Sequence, residues 1–392
     1  MRAPLNPALA GTIAPPVMEA RRWIAGLEFP RDRPLINVSQ AAPTAPPPLA
    51  LREAMAEAVL GDPGSHLYGP DLGLPALREE LAARSARLYA GRLGAGQVAI
   101  TAGANLAFCA SIAALAGPGD AVLLPVPWYF NHAMWLTQQG IEARPLPCGP
   151  DLLPDPAAAA ARIDARTRAL VLVTPNNPAG LAYPPALIRA FAELARARGL
   201  ALVIDETYRD FRPDPGPPHD LFAEPDWDRH VIGLYSFSKA YRLTGHRVGA
   251  ILTAPDRLAQ IEKVLDTVQI CAPQLGQRAA LWGLRHLDGW LAGERTETLT
   301  RGAALAQGMA RLPGWRLRAQ GGYFAWVEHP WGQPSETVAR RLVAQAGVLM
   351  LPGTMFRPPD DPAGGREMRI AVANLDRAGI DSLIDRLGDI TP

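Results

Sequence analysis

The chain has 392 residues, 48% of them hydrophobic and 20% charged, and a formal net charge of +1. That length exceeds one compact core and suits roughly two or three domains. The near-neutral balance gives no electrostatic case for nucleic acid or for an anionic membrane surface. No stretch is long and apolar enough to span a bilayer. The N-terminal run Met1-Arg-Ala-Pro-Leu-Asn-Pro lacks the apolar core of a signal peptide. A soluble cytoplasmic protein is therefore expected. Cys109, Cys148 and Cys271 lie far apart without metal-ligand spacing, and two sit in apolar surroundings, so buried free thiols are expected rather than disulfides or metal ligands. The 40 prolines are spread among loops, and no internal repeat is evident.

Residues 1–45 are rich in Pro and Ala and read as an arm, with a short helix around Pro16–Ala25 and a strand at Leu35–Val38. Such an arm packs on another surface, either the small domain or a partner subunit. Leu49–Leu60 has helical periodicity and ends at Gly61-Asp-Pro-Gly64. Tyr68-Gly-Pro-Asp-Leu-Gly-Leu-Pro-Ala-Leu-Arg78 then leads into a helix whose Pro75 suits the first turn. From Val98 to about Thr253, seven short apolar strands alternate with helices. The strands are Val98–Thr101, Ala121–Leu124, Glu142–Leu146, Ala169–Val173, Ala201–Ile204, Val231–Tyr235 and Val248–Leu252. The clearest helices are Asn105–Leu115, Ala186–Arg198 and Pro255–Val268. Near-continuous apolar strands with helical crossovers predict a mostly parallel seven-stranded sheet covered on both faces. After about Ala272 comes a long helical segment through Leu284–Leu312. Strands at Trp315–Arg318, Tyr323–Val327, Val348–Leu351 and Arg369–Val372 follow, with helices at Ser335–Ala346 and Asp376–Leu387. This is the pattern of a smaller α+β domain. The expected division is an arm over 1–45, a large α/β domain over 46–285 and a small domain over 286–392.

Ligands of such sheets collect beyond the carboxyl ends of the strands, and four of those ends carry unusual residues. Thr101-Ala-Gly-Ala-Asn105 joins a strand to a helix N-terminus, where small residues allow close approach of an anion; the same pattern is also a common packing device. Thr174-Pro-Asn-Asn-Pro-Ala-Gly180 reads as a proline-fixed turn, or as two amides offered to a ligand oxygen. Asp205, in Ala201-Leu-Val-Ile-Asp-Glu-Thr-Tyr208, ends an apolar run where an acid needs a partner, either local backbone donors or a cationic ring nitrogen. The fourth end is Tyr235-Ser-Phe-Ser-Lys-Ala-Tyr-Arg-Leu-Thr-Gly-His-Arg-Val-Gly249. It holds Lys239, which with Lys263 is one of only two lysines in the chain. A lone lysine is ordinarily a solvated surface group. In a chain whose other cations are arginine, which cannot form a Schiff base, a lysine flanked by hydroxyls invites a chemical reading.

The four ends share one chemistry, that of a pyridine aldehyde phosphate. Lys239 would form an imine with it. Gly103, Ala104, Asn105, Ser236, Ser238 and Arg247 would meet the phosphate, and Asp205 the ring nitrogen. Asn177 and Tyr208 would meet the ring oxygen, with an aromatic from Pro127-Trp-Tyr-Phe-Asn-His132 on the ring face. With these motifs in order, the chain resembles the class I/II aminotransferases of pyridoxal-phosphate fold type I, aspartate-aminotransferase-like, along essentially its whole length. The motifs that carry the resemblance are Tyr68-Gly, Gly-Ala-Asn105, Asn-Asn177-Pro-x-Gly, Asp205-Glu-x-Tyr, Ser-x-Ser-Lys239 with Arg247, Pro352-Gly and the late Arg369. The resemblance implies the catalytic roles. Lys239 would be the Schiff-base lysine and proton shuttle of pyridoxal 5'-phosphate, assisted by Asp205 and Tyr208. It also implies that Tyr129 stacks on the ring with His132 behind it, and that Tyr68 reaches the phosphate of a neighbouring subunit in a homodimer with shared sites. Arg369 would grip the substrate α-carboxylate.

The activity implied is ping-pong transfer of an amino group from an L-amino acid to a 2-oxo acid. The sequence departs from its relatives at Gln40-Ala-Ala-Pro43, where a glycine is common; the methyls of Ala41 and Ala42 are expected to narrow the substrate pocket. Gln269-Ile-Cys-Ala-Pro-Gln-Leu lacks the arginine of dicarboxylate-specific relatives, although Arg278 is near, and this favours a neutral or aromatic donor. Trp128, Trp135, Tyr323 and Phe324 are candidate pocket aromatics or ordinary packing residues. A carbon–sulfur β-lyase or an aminocyclopropane-carboxylate-synthase-like enzyme shares these motifs. A non-catalytic ligand sensor is the reading from another class, and it is disfavoured because no helix-turn-helix or basic cluster precedes the large domain.

Overall fold

The computed structural model describes residues 3–390; residues 1 and 2 of the expected arm and 391 and 392 of the expected small domain lie outside them. The strands are β1 Ile36–Asn37, β2 Val98–Thr101, β3 Ala121–Val126, β4 Glu142–Pro147, β5 Thr167–Val173, β6 Ala201–Asp205 and β7 Val231–Ser236. The remaining strands are β8 Gly249–Leu252, β9 Arg316–Gly321, β10 Phe324–Glu328, β11 Val348–Leu349, β12 Leu351–Pro352 and β13 Glu367–Ala371.

The large sheet has seven strands in the order β2-β8-β7-β6-β5-β3-β4. Its strands alternate between two cores, as a period of two requires. Leu170, Leu172, Leu202 and Ile204 enter one apolar cluster, and Ala169, Val171, Ala201 and Val203 enter the other. Helices Ala104–Ala113 and Pro255–Gln269 cover the second face through residues such as Phe108 and Leu265. Helix Pro185–Arg198 covers the first through Ile188 and Phe191. It ends at Gly199 in the left-handed conformation that stops a helix without a Cβ clash.

One strand runs against the rest: β8 is antiparallel to both β2 and β7. Its first residue, Gly249, pairs with Ser236 and Thr101, the last residues of β7 and β2. The segment entering β8, which carries Arg247, therefore arrives at the same edge as the carboxyl ends of the parallel strands.

A second sheet, β12-β13-β10-β9, is antiparallel. The expected strand Val348–Leu351 is divided. β11 pairs in parallel with β1 of the arm, and β12 pairs with β13. The long segment Leu284–Leu312 is likewise two helices, Gln274–His286 and Asp288–Met309, parted at Leu287. The arm strand continues the join: the amide of Ala371 donates to the Val38 carbonyl at 2.9 Å. Ser39, Gln40 and Ala41 are thus delivered beside the end of β13. Cys109, Cys148 and Cys271 are free, as expected, but only partly buried.

Candidate active site

Beyond the ends of β5, β6 and β7 lies a cavity of about 430 Å³. Among the residues singled out from the sequence, Ala41, Ala42, Ala104, Asn105, Tyr129, Asn177, Asp205, Tyr208, Ser236, Ser238, Lys239, Arg247 and Arg369 line it. Gly103 and Tyr68 do not. Gly103 lies just behind the wall at φ +90°, and a Cβ there would strike the Arg247 guanidinium. Tyr68 is 81% exposed, on the outer surface.

Lys239 is seated where the short helix Phe237–Ala240 leaves β7, and the Ser236 side chain caps that helix by accepting from the Ser238 amide at 3.3 Å. Its Nζ donates to the Ala41 carbonyl at 2.6 Å. Burial, then the charges of Arg247 and Arg369, bring the amine down from its ordinary range to about 8. The neutral, nucleophilic form of Lys239 is therefore reached about two pH units lower than for an ordinary lysine.

Asp205 closes β6 and is buried. Burial disfavours its charge, but His132 and the Thr207 amide outweigh that penalty and hold the carboxyl below its usual range. His132 Nε2 stands 3.4 Å from one carboxylate oxygen, and the Thr207 amide donates to the other at 3.0 Å. His132 is itself fixed by stacking on Phe108, with ring centroids 3.8 Å apart. A buried carboxylate kept ionised can hold a cationic ring nitrogen.

At the other end, Arg247 Nη1 donates to the Ser238 hydroxyl at 3.4 Å and to the Thr244 carbonyl at 3.0 Å. With Ser236 and the N-terminus of the ten-residue helix Ala104–Ala113, this arrangement suits an oxyanion. Tyr129 is oriented by Asn131 Nδ2, which donates to its hydroxyl at 2.7 Å, and that hydroxyl donates to Asn105 at 3.3 Å.

Arg369, at the centre of β13, is buried between Phe324 and Phe356, with 4.9 and 4.8 Å from guanidinium carbon to ring centroids. Its Nη1 donates to Asn177 Oδ1 at 2.8 Å, its Nη2 donates to the Ser39 carbonyl, and its Nε has no partner. Burial lowers its pKa.

Other residues named from the sequence lie outside the cavity. Trp128, Trp135, Tyr323 and Phe324 do not line the cavity. Tyr323 and Phe324 pack against Tyr208 instead, at 5.4 and 5.0 Å between ring centroids. Arg278 is bound to Asp62 at 2.6 Å, away from the cavity. Three groups went unread in the sequence. The first is the inner face of helix Pro16–Trp23, which brings Val17, Met18 and Arg21 to the cavity. The second is the Ser39–Ala41 backbone as an acceptor. The third is a buried network under the Asp205–Tyr208 turn. There the Tyr89 hydroxyl donates to Glu206 at 2.5 Å, His219 lies 3.6 Å from the same carboxylate, and Arg209 Nη1 donates to Tyr89 at 3.2 Å. Glu206 was visible beside Asp205, but its partners are remote in the chain.

Fold and cavity together define an α/β protein with a strand-end site for a small anionic ligand around a buried amine. Residues 33–387 match the family model "Aminotransferase class I and II". The chain is 30% identical over 398 residues to an aromatic aminotransferase of Arabidopsis thaliana, covering 95% of each. It is 30% identical over 388 residues to a valine–pyruvate aminotransferase of Mycobacterium tuberculosis, covering 96% of this chain and 97% of that one. Its fold matches the structure of the aspartate aminotransferase of Thermus thermophilus with maleate, at a TM-score of 0.89 and 23% identity over 99% of both chains. The chain belongs to the class I and II aminotransferases, and it is an enzyme that moves an amino group from an amino acid to a 2-oxo acid.

Proposed function

We propose that the enzyme works with pyridoxal 5'-phosphate held by Lys239, and that its amino donor is a neutral or aromatic L-amino acid. The observation that carries this reading is the arrangement around Lys239, a buried amine whose pKa is lowered by burial and by Arg247 and Arg369, with the ionised Asp205 in the same cavity. The residues fit the group. Arg247, Ser236, Ser238 and the helix end behind Gly103 suit its phosphate, Asp205 its ring nitrogen, Asn177 and Tyr208 its ring oxygen, and Tyr129 its ring face. When bound, the cofactor supplies an aldehyde for amines and a protonated ring that draws electron density from the substrate α-carbon.

The chain's own residues supply the rest. Arg369 binds the α-carboxylate and orients the substrate. Its bond to Asn177 Oδ1 fixes that amide and leaves Nδ2 as the donor. Lys239 removes the α-proton as a general base and returns it as a general acid. Val17, Met18, Phe130 and Tyr129 give the cavity apolar walls for a neutral or aromatic side chain, in keeping with relatives named for aromatic and valine substrates.

The working unit of this reading is a homodimer in the cytoplasm, divided into an arm (1–45), a large domain (46–285) and a small domain (286–392). The exposed Tyr68 and Leu67 support the dimer, the free cysteines a reducing compartment, and the separate sheets the division. The test is amino-group transfer from a panel of amino acids by wild type and Lys239→Ala. The variant should lose activity by about ten-thousandfold or more and keep its thermal stability, because it only removes a buried amine. Retained turnover, or release of ammonia instead of a new amino acid, would overturn the reading.

A further inference from the structure

Five charged side chains line the cavity: Arg21, Asp205, Lys239, Arg247 and Arg369. The proposed function employs four of them. Arg247 meets a phosphate, Arg369 an α-carboxylate, Lys239 an amine and Asp205 a ring nitrogen. Arg21 is the cation left over.

Arg21 and Gln40 are both exposed, at the mouth of the cavity, and the neighbouring arginine is held differently. Arg22, on the same helix, is paired with Glu19 at 2.7 Å. Among the described residues Arg21 has no carboxylate partner. Its Nη2 donates instead to the neutral side-chain oxygen of Gln40 at 2.8 Å, and its Nη1 lies 3.9 Å from the Met18 sulfur. The supports on either side are firm. Helix Pro16–Trp23 is anchored by the buried Ala20, by Arg340 over the Trp23 ring at 4.4 Å, and by Glu19 with Arg340 at 3.3 Å. The Gln40 backbone is held by Asn374, whose Nδ2 donates to the Gln40 carbonyl at 2.6 Å and whose Oδ1 accepts from the Ala42 amide at 3.2 Å. Only the Gln40 side chain is left to turn.

Three successive residues thus each satisfy one cavity cation: Ser39 that of Arg369, Gln40 that of Arg21 and Ala41 that of Lys239. The first and third are carbonyls fixed in the backbone. The middle one is a pivoting amide, whose oxygen accepts and whose nitrogen donates.

We propose that Arg21 and Gln40 form a removable clasp that lets the same site take a dicarboxylic 2-oxo acid as amino acceptor. With a neutral side chain in place, Arg21 stays on Gln40 and the wall is apolar. A distal carboxylate displaces the Gln40 oxygen from Arg21, and Gln40 turns its Nε2 toward the same carboxylate. A ping-pong enzyme seats both substrates in one cavity, and this clasp reconciles a neutral donor with an acidic acceptor. The inference rests on the proposed function and names its second substrate class.

The experiment uses the holoenzyme with one neutral amino donor and two acceptors, 2-oxoglutarate and pyruvate, in wild type, Arg21→Ala and Arg21→Lys. Arg21→Ala should lower the ratio of kcat/KM for 2-oxoglutarate over pyruvate at least about tenfold, mainly through KM, with partial recovery in Arg21→Lys. Calorimetric affinity for glutarate over butyrate, both unreactive, should fall in parallel. If an active enzyme shows the same acceptor ratio in all three forms, or wild type does not use 2-oxoglutarate, the clasp is overturned and the proposed function stands. A wild type that transfers amino groups to neither acceptor overturns both.

Discussion

Lys239 gains its chemistry from where it is buried. Its pKa near 8 comes first from desolvation and then from the charges of Arg247 and Arg369. Below that pH the ammonium form dominates, and the reactive neutral fraction falls about tenfold per unit. The rate at which the apoenzyme takes up pyridoxal phosphate should therefore rise with pH to about 8 and then level off, as followed by stopped-flow absorbance. A rate still climbing at pH 10 would contradict the account. Lys239 was legible in the sequence because lysine is scarce and hydroxyls flank it. Its pKa was not, because Arg369 reaches it only through the tertiary fold. Asp205 was legible as an acid ending an apolar strand. That it stays ionised depends on His132, which lies on helix Phe130–Gln138, remote in the chain.

At the scale of elements, one loop crossing shows how tightly the site is framed. Gly180 follows Asn177 at φ +81°, and a Cβ there would sit 2.5 Å from the Gly321 backbone at the end of β9. The turn that presents Asn177 is thereby pressed against the hairpin that leads to Phe324, which packs on Arg369. Gly180→Ala combines backbone strain with a clash against backbone. It should lower stability by about 2 kcal/mol or more, measured by urea unfolding, and raise KM. Unchanged unfolding and KM would mean that the two segments do not depend on each other. The seven strands and their order along the chain were legible because apolar runs alternate with helical ones. The reversed direction of β8 was not, since a four-residue apolar strand reads alike in either direction. The division of Val348–Leu351 between two sheets was hidden for a similar reason. Arm strand and small-sheet strand compete for adjacent residues, and only long-range pairing decides between them.

At the scale of the molecule, the surface around Tyr68 stands apart from the cavity. Tyr68 is 81% exposed, Leu67 64% and Val268 62%, high values for large apolar side chains. The proposed dimer would cover such residues, and sedimentation velocity should then show a species of twice the chain mass. Tyr68→Asp with Leu67→Asp should shift it toward monomer and weaken cofactor retention, and a purely monomeric wild type would contradict the dimer. That Arg369 and the strand-end motifs belong to one site was legible through the family resemblance, and all of them reach the cavity. The role of the arm could not. Helix Pro16–Trp23 reads as a short amphipathic piece, and nothing local in it reports that Arg21 faces a cavity built by residues from Gln40 to Arg369. Whether Lys239 holds the cofactor is read from the visible absorption spectrum of the purified protein, taken with pyridoxal phosphate and then with single amino acids added. Cofactor held by Lys239 should give a yellow band that is absent from Lys239→Ala and fades with neutral or aromatic donors. A protein that stays colourless after incubation with the cofactor would contradict it.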